Sequence, residues 1–149
     1  QSGKLMVEVN STVLTARLLE GEYIDYRHII PESFVTEFKT NKIIFENAVA
    51  RASVVARAMT NNMIILDVKE DYVNVTSNSD VGTVSENVLV SLEGKDVTIA
   101  FNSRYVTDCL HAISDDFIKF SLNSPIAPCI IRPNSDDNSL YLILPIRMN

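Results

Sequence analysis

A chain of 149 residues can bury one full core but is short for two. Its formal net charge of −6 argues against a free-standing nucleic-acid binder, which needs clustered Lys and Arg on phosphate. No run reaches the roughly 18 apolar residues that a membrane span needs, and the opening Gln1-Ser2-Gly3-Lys4 has no apolar signal core, so a cytoplasmic protein without a membrane partner is expected.

Lys4 to Leu19 reads as two strands around a turn at Asn10-Ser11. Glu20 to Pro31 is a polar and aromatic connection punctuated by Gly21 and Pro31. A hairpin of this size cannot bury a core alone, so residues 1–30 are expected to end a preceding domain and residues 31–149 to form the main one. Ser33 to Lys39 is a short strand. Asn41 can cap a helix running to about Met59, with Phe45, Ala48, Val49, Ala52, Val55, Ala56 and Met59 at three- and four-residue steps. Three strands follow, at Met63–Val68, Tyr72–Ser77 and Thr83–Ser91.

The same order then recurs. Val97 to Phe101 is a strand, and Asn102 or Ser103 caps a helix whose apolar stripe is Val106, Cys109, Leu110 and Ile113. Strands at Phe117–Leu122, Ala127–Arg132 and Leu140–Ile146 complete it. The chain is thus strand, helix and three strands, twice, with a period of about 60 residues. That pattern predicts an α+β fold, with two pseudo-symmetric β-α-β-β-β halves and both helices on one side of antiparallel sheets.

Catalytic signatures are missing from the sequence. It has 4 Gly and no phosphate-cradling loop, no G-x-S-x-G and no H-E-x-x-H. Cys109 and Cys129 read as reduced core thiols, and His111 as a surface histidine near a helix C-terminus. The carboxylate pairs Glu70-Asp71, Asp115-Asp116 and Asp136-Asp137 sit where turns favour Asp. No enzyme, cofactor or metal site is expected.

Two features call for a function. Leu140-Tyr141-Leu142-Ile143-Leu144-Pro145-Ile146 is apolar on both strand faces, so one face needs a cover or a partner. Pro145 suits a strand end better than a central position. In addition, Lys42, Arg51 and Arg57 on the first helix and Arg104 on the second lie off the apolar stripes. They would make a mild basic face or simply a solvated one.

Four segments together resemble the bacterial DNA polymerase III beta subunit, the sliding-clamp family. They are the run from Arg17 to Pro31, Ala50-Arg51-Ala52, Ala100-Phe101-Asn102-Ser103-Arg104-Tyr105, and Tyr141-Leu142-Ile143-Leu144-Pro145-Ile146-Arg147. The resemblance is to the third domain from about Pro31 onward, preceded by the last strands of the second. It implies a processivity factor whose full-length homodimer closes a ring around duplex DNA without reading its sequence. Lys42, Arg51, Arg57 and Arg104 would face that DNA. Implied partners are the DNA polymerase III alpha subunit and other polymerases, the clamp loader, and repair proteins with clamp-binding motifs.

The resemblance also implies a peptide pocket. This chain would contribute Ile24, His28, Ile29, Asn102, Tyr105, Ile126, Pro128, Ile143, Leu144, Pro145, Ile146, Arg147 and Met148 to it. Ile24 stands where the family commonly has proline, and His28 where it has arginine. The ring surface is implied around Ser53, Val54 and Val55, with the neighbouring strand. The alternative is a stand-alone protein-interaction domain unrelated to replication.

Overall fold

The computed structural model describes residues 3–135 and 138–148. Strands β1 (Lys4–Val9) and β2 (Thr12–Arg17) pair antiparallel from Lys4↔Arg17 to Val9↔Thr12. Asn10 turns the chain with φ 56°, the left-handed geometry that suits a two-residue hairpin loop and that Asn tolerates. Every residue of this hairpin is exposed, as its size dictates.

The rest of the chain follows the repeat. The first half is β3 (Thr36–Asn41), α1 (Lys42–Ala56), β4 (Met63–Val68), β5 (Tyr72–Ser79) and β6 (Gly82–Gly94). The second is β7 (Val97–Asn102), α2 (Ser103–Ala112), β8 (Phe117–Leu122), β9 (Cys129–Pro133) and β10 (Tyr141–Ile143). In each half the first strand ends on an Asn that caps the helix. The Asn41 side chain accepts from the Ile44 N–H at 3.1 Å, and the Asn102 side chain accepts from the Arg104 N–H at 3.0 Å.

The halves interlock by exchanging strands. Along the sheet the order is β10-β9-β8-β3-β6-β5-β4-β7, so β3 sits against β8 of the other half and β7 against β4. Beyond β10, Ile146 bridges Ala100 on β7 and brings the two ends of the sheet together. The β3–β6 ladder of the first half therefore has a one-bridge counterpart in the second.

Both helices pack together on one side of the sheet, α1 over β4, β5 and β6, and α2 against β7 and β10. Phe45, Ala48, Val49, Ala52 and Ala56 of α1 and Val106, Cys109 and Leu110 of α2 are buried beneath them. The three alanines leave room for close approach. Cys129 lies in the interior on β9, so both thiols sit in the core.

Several boundaries differ from the sequence reading. Strand β3 begins at Thr36, not Ser33. Helix α1 stops at Ala56, not Met59, because Ala58 and Met59 bond three residues back and tighten its end. The last strand stops at Ile143, not Ile146, because Pro145 has no N–H to extend the ladder. Val55 is half-buried, and Ser53 joins the buried face of α1, its hydroxyl donating to the Ala50 carbonyl at 2.8 Å.

Asp115 fastens the turn after β9 to the start of β8. Its carboxylate accepts from the Ser135 N–H at 2.6 Å and the Phe117 N–H at 3.3 Å. Hydrogen bonds from Ser135, its side chain first, hold the carboxyl at about 2, below the ordinary 3.8. The folded value is depressed, so the stabilisation is present above the unfolded value and is lost as pH falls through about 2. Asp115→Asn is expected to lower the thermal midpoint at neutral pH, with the gap to the parent closing as pH approaches that value. Circular-dichroism melts across acid pH check this; a gap of constant size would show that the charge is not its source.

Candidate functional site

The Asn102 cap fixes where α2 starts, and the helix period then turns Tyr105 and Asp108 outward together, three residues apart. Tyr105 is 59% exposed. Across from them β10 pairs antiparallel with β9 through Leu142↔Ile130 and Ile143↔Cys129. Ile143 turns into the core, and Leu140 and Leu144 turn out. The Tyr141 hydroxyl donates to the Ala112 carbonyl at 3.2 Å and ties β10 to the end of α2.

Between these elements lies a groove of about 610 Å³, lined by Tyr105, Asp108, Cys109 and residues 140–144. The pairing with β9 ends at Ile143, and the pairing with β7 begins at Ile146, where its N–H donates to the Ala100 carbonyl at 2.8 Å. Leu144 falls in the gap between the two ladders and remains 64% exposed. Burial pushes the Cys109 thiol up to about 12, so it stays protonated and serves as apolar floor. The groove is thus hydrophobic with a phenol and one carboxylate at its rim. It can seat an aliphatic or aromatic side chain and hydrogen-bond the backbone beside it.

Of the residues expected in a peptide pocket, the groove unites Tyr105, Ile143 and Leu144. Asn102 adjoins them but uses its side chain on the helix cap. Ile126 is exposed and Pro128 half-buried on the loop before β9, outside the lining. Pro145 and Ile146 are half-buried, and Arg147 and Met148 exposed, as the chain runs on past the groove. Ile24, His28 and Ile29 lie on the connection and do not line it either. His28 instead faces Asp25 at 3.3 Å. Leu140, Tyr141, Leu142, Asp108 and Cys109 are additions. The helical step from Tyr105 pointed to Asp108, and strand alternation from Leu144 pointed to Leu140 and Leu142.

The four helical cations divide into two pairs. Lys42 meets Glu46 at 3.8 Å, and Arg51 grips both oxygens of Glu86 on β6. The hydrogen bond from Arg51 holds the Glu86 carboxyl below its usual value. Arg57 and Arg104 instead border a cleft of about 530 Å³ between the helices, and neither has an ion pair among the described residues. His111 shares that cleft and lies 3.1 Å from Glu46.

Val54 is 66% exposed on α1, whereas Ser53 turns inward. Beside this helix runs a sheet edge. Residues 82–89 of β6 pair with β5 on one side, and β3 covers the other side only from Val90 onward. That leaves the backbone groups of residues 82–88 open on that side, since the Leu89 carbonyl accepts from the Thr40 hydroxyl at 2.9 Å. Among the described residues no cluster of His, Cys, Asp and Glu could hold a metal. Asp136-Asp137 lies outside the described residues. No helix among them is long and apolar enough to cross a membrane.

Comparison with known proteins gives a consistent result. Residues 27–147 match the family described as DNA polymerase III beta subunit, C-terminal domain. The chain is 36% identical over 148 residues to a Beta sliding clamp of Staphylococcus aureus, covering 98% of this chain and 39% of that protein. In structure it is similar to the DNA polymerase sliding clamp of Bacillus subtilis, with a TM-score of 0.89 at 30% identity, covering 100% of this chain and 40% of that one. It is also similar to the DNA polymerase III beta subunit of Thermotoga maritima, with a TM-score of 0.88 at 28% identity, covering 98% and 40%. The chain therefore spans about two fifths of the length of these relatives.

Proposed function

The chain belongs to the C-terminal-domain family of the DNA polymerase III beta subunit, and on that premise we propose that it is the third-domain portion of a sliding clamp. Such a clamp is a ring-forming processivity factor that encircles duplex DNA and docks the linear motifs of its partners. The observation that carries the docking half is the open groove between α2 and β10, with Leu144 in the gap between two ladders. A domain with no outside partner would gain by covering that row.

The role is binding, not catalysis. A peptide anchor entering the groove would displace water from Tyr105, Leu142 and Leu144, and one fully buried aliphatic or aromatic side chain contributes about 1.5–3 kcal/mol. Tyr105 and Arg147 would supply hydrogen bonds, Asn102 would donate only from its side-chain nitrogen because its oxygen caps α2, and Ile126, Pro128, Ile146 and Met148 would widen the contact. Residues 1–30 would end the preceding domain, bringing Ile24, His28 and Ile29 to the far wall. The ligands would be segments of the polymerase alpha subunit, other polymerases, the clamp loader and repair proteins, all in the cytoplasm.

The ring half rests on α1 and β6. The open edge at residues 82–86 and the exposed Val54 suit a strand-and-helix contact with another subunit's domain. Val55 would add to that contact from its half-buried position. Arg57 and Arg104 would face duplex DNA from the inter-helix cleft, and Lys42 and Arg51 would do so only weakly, being paired with carboxylates. A stand-alone interaction domain outside replication has no support among the relatives.

Leu144→Asp is expected to weaken binding of a fluorescein-labelled clamp-binding peptide from the polymerase alpha subunit by at least about tenfold, the equivalent of about 1.4 kcal/mol. The substitution removes apolar contact and sets a carboxylate beside Asp108. Leu144 is exposed, so the fold should be unaffected. Fluorescence anisotropy reads the change, and an unaltered affinity would remove Leu144 from the site.

A further inference from the structure

The internal two-fold relates the α2–β10 groove to a second place on the molecule. Asn41 caps α1 as Asn102 caps α2, and Ile44 follows the first cap by three residues as Tyr105 follows the second. β6 is the fourth and last strand of its half, as β10 is of the other. Where these counterparts meet there is again a groove, of about 640 Å³, lined by Asn41, Ile44, residues 87–91 and Phe117. Leu89 stands in it 80% exposed, where β6 passes from pairing with β5 to pairing with β3.

Its electrostatics are opposite to those of the first groove, whose rim carries Asp108. Here Lys39 lines the groove, its ammonium 4.9 Å from the centre of the Phe117 ring. Lys39 lies directly across from Lys119 on β8, and Lys119 across from Arg132 on β9. With strands about 4.8 Å apart, that row of three cations runs about 10 Å outward from the groove. Glu37 meets Lys119 at 3.0 Å and accepts from the Ser121 hydroxyl. Against the opposing pull of burial, these hydrogen bonds and the charges of both Lys119 and Arg132 draw its carboxyl down. Among the described residues Lys39 and Arg132 have no ion pair. Like charges placed opposite each other destabilise a sheet, and in a chain of net charge −6 this is a local excess that an anion would relieve.

We propose that this groove is a second peptide-docking site, for a short extended segment with one aliphatic or aromatic anchor followed by acidic residues. The anchor seats against Ile44, Leu89 and Phe117, and the acidic flank crosses Lys39 towards Lys119 and Arg132. The proposal takes only its analogy of shape from the α2–β10 groove, and its test separates the two.

The probe is fluorescein-labelled Ser-Ser-Phe-Asp-Glu-Asp amide, with a control in which three lysines replace the acidic residues. On this chain, Leu89→Asp and Lys39→Glu are each expected to weaken the acidic probe at least about fivefold, and Leu144→Asp to leave it unchanged. The lysine control should bind at least about fivefold more weakly than the acidic probe. Both Lys39 and Leu89 are exposed, so neither change threatens the fold. No binding up to about 1 mM, near −4 kcal/mol, would overturn the proposal. So would loss with Leu144→Asp but not with Leu89→Asp, since the probe would then occupy the first groove. A dimer in sedimentation equilibrium that Leu89→Asp dissociates would also overturn it, because a second copy would then cover this face. Failure of the first groove would show separately, in the polymerase-peptide titration of Leu144→Asp.

Discussion

Phe120→Ala is expected to remove about 3–5 kcal/mol from the unfolding free energy, a large share of the roughly 5–15 kcal/mol of an ordinary domain. Phe120 on β8 stacks on Phe38 of β3 with ring centres 4.5 Å apart and planes 7° apart. It also meets Phe45 of α1 at 5.0 Å with a tilt of 56°. All three rings are buried. The cluster therefore joins the strand that crosses between halves, its partner strand and the first helix. Truncation leaves a cavity that three regular elements cannot collapse to fill. Urea unfolding followed by circular dichroism should show the midpoint fall with an unchanged slope. A loss below about 2 kcal/mol would mean the site closes up, and the rings would then not organise the interlock.

Gly94→Ala should cost about 3 kcal/mol or more for a different reason. Gly94 ends β6 opposite Thr36 with φ +108°, a backbone region that L side chains rarely adopt. A Cβ there would lie 2.0 Å from the Val35 carbonyl oxygen and 3.0 Å from its carbon. The neighbour is backbone and cannot swing aside, so the start of β3 must shift. Gly82 offers the control. Its φ is +147° and nothing lies within 4 Å of an added Cβ, so Gly82→Ala should cost only the conformational part, about 1–2 kcal/mol. Equal losses in the two variants would remove the close approach as the cause.

Much of the fold was legible because its signals are local. Alternation along β4 and β5, the apolar steps of both helices, and the two Asn caps all lie within a few residues of one another. The exchange of β3 and β7 between halves was not legible, since it depends on which ladder a strand finds in three dimensions. Ser53 escaped because a hydroxyl that bonds back to Ala50 can be buried without penalty, whatever its polarity suggests. Pro145 gave a usable warning about the strand end, but the switch from β9 to β7 across it is a tertiary event.

The groove was half legible. Outward Leu144 showed itself through the doubly apolar last strand. Cys109 did not, because only the approach of α2 to β10 makes a helix core residue into groove floor. The connection residues Ile24, His28 and Ile29 were named through family resemblance alone, and strand or helix periodicity says nothing about them.

Partner peptides that dock in the α2–β10 groove must touch its lining. Residue-resolved NMR of this chain, titrated with the polymerase alpha-subunit peptide, tests it most directly. Docking there is expected to give saturable shifts of the Leu142, Ile143 and Leu144 methyl groups and of the Tyr105 ring. Saturable shifts confined to other surfaces, with those four residues unmoved at full occupancy, would contradict it.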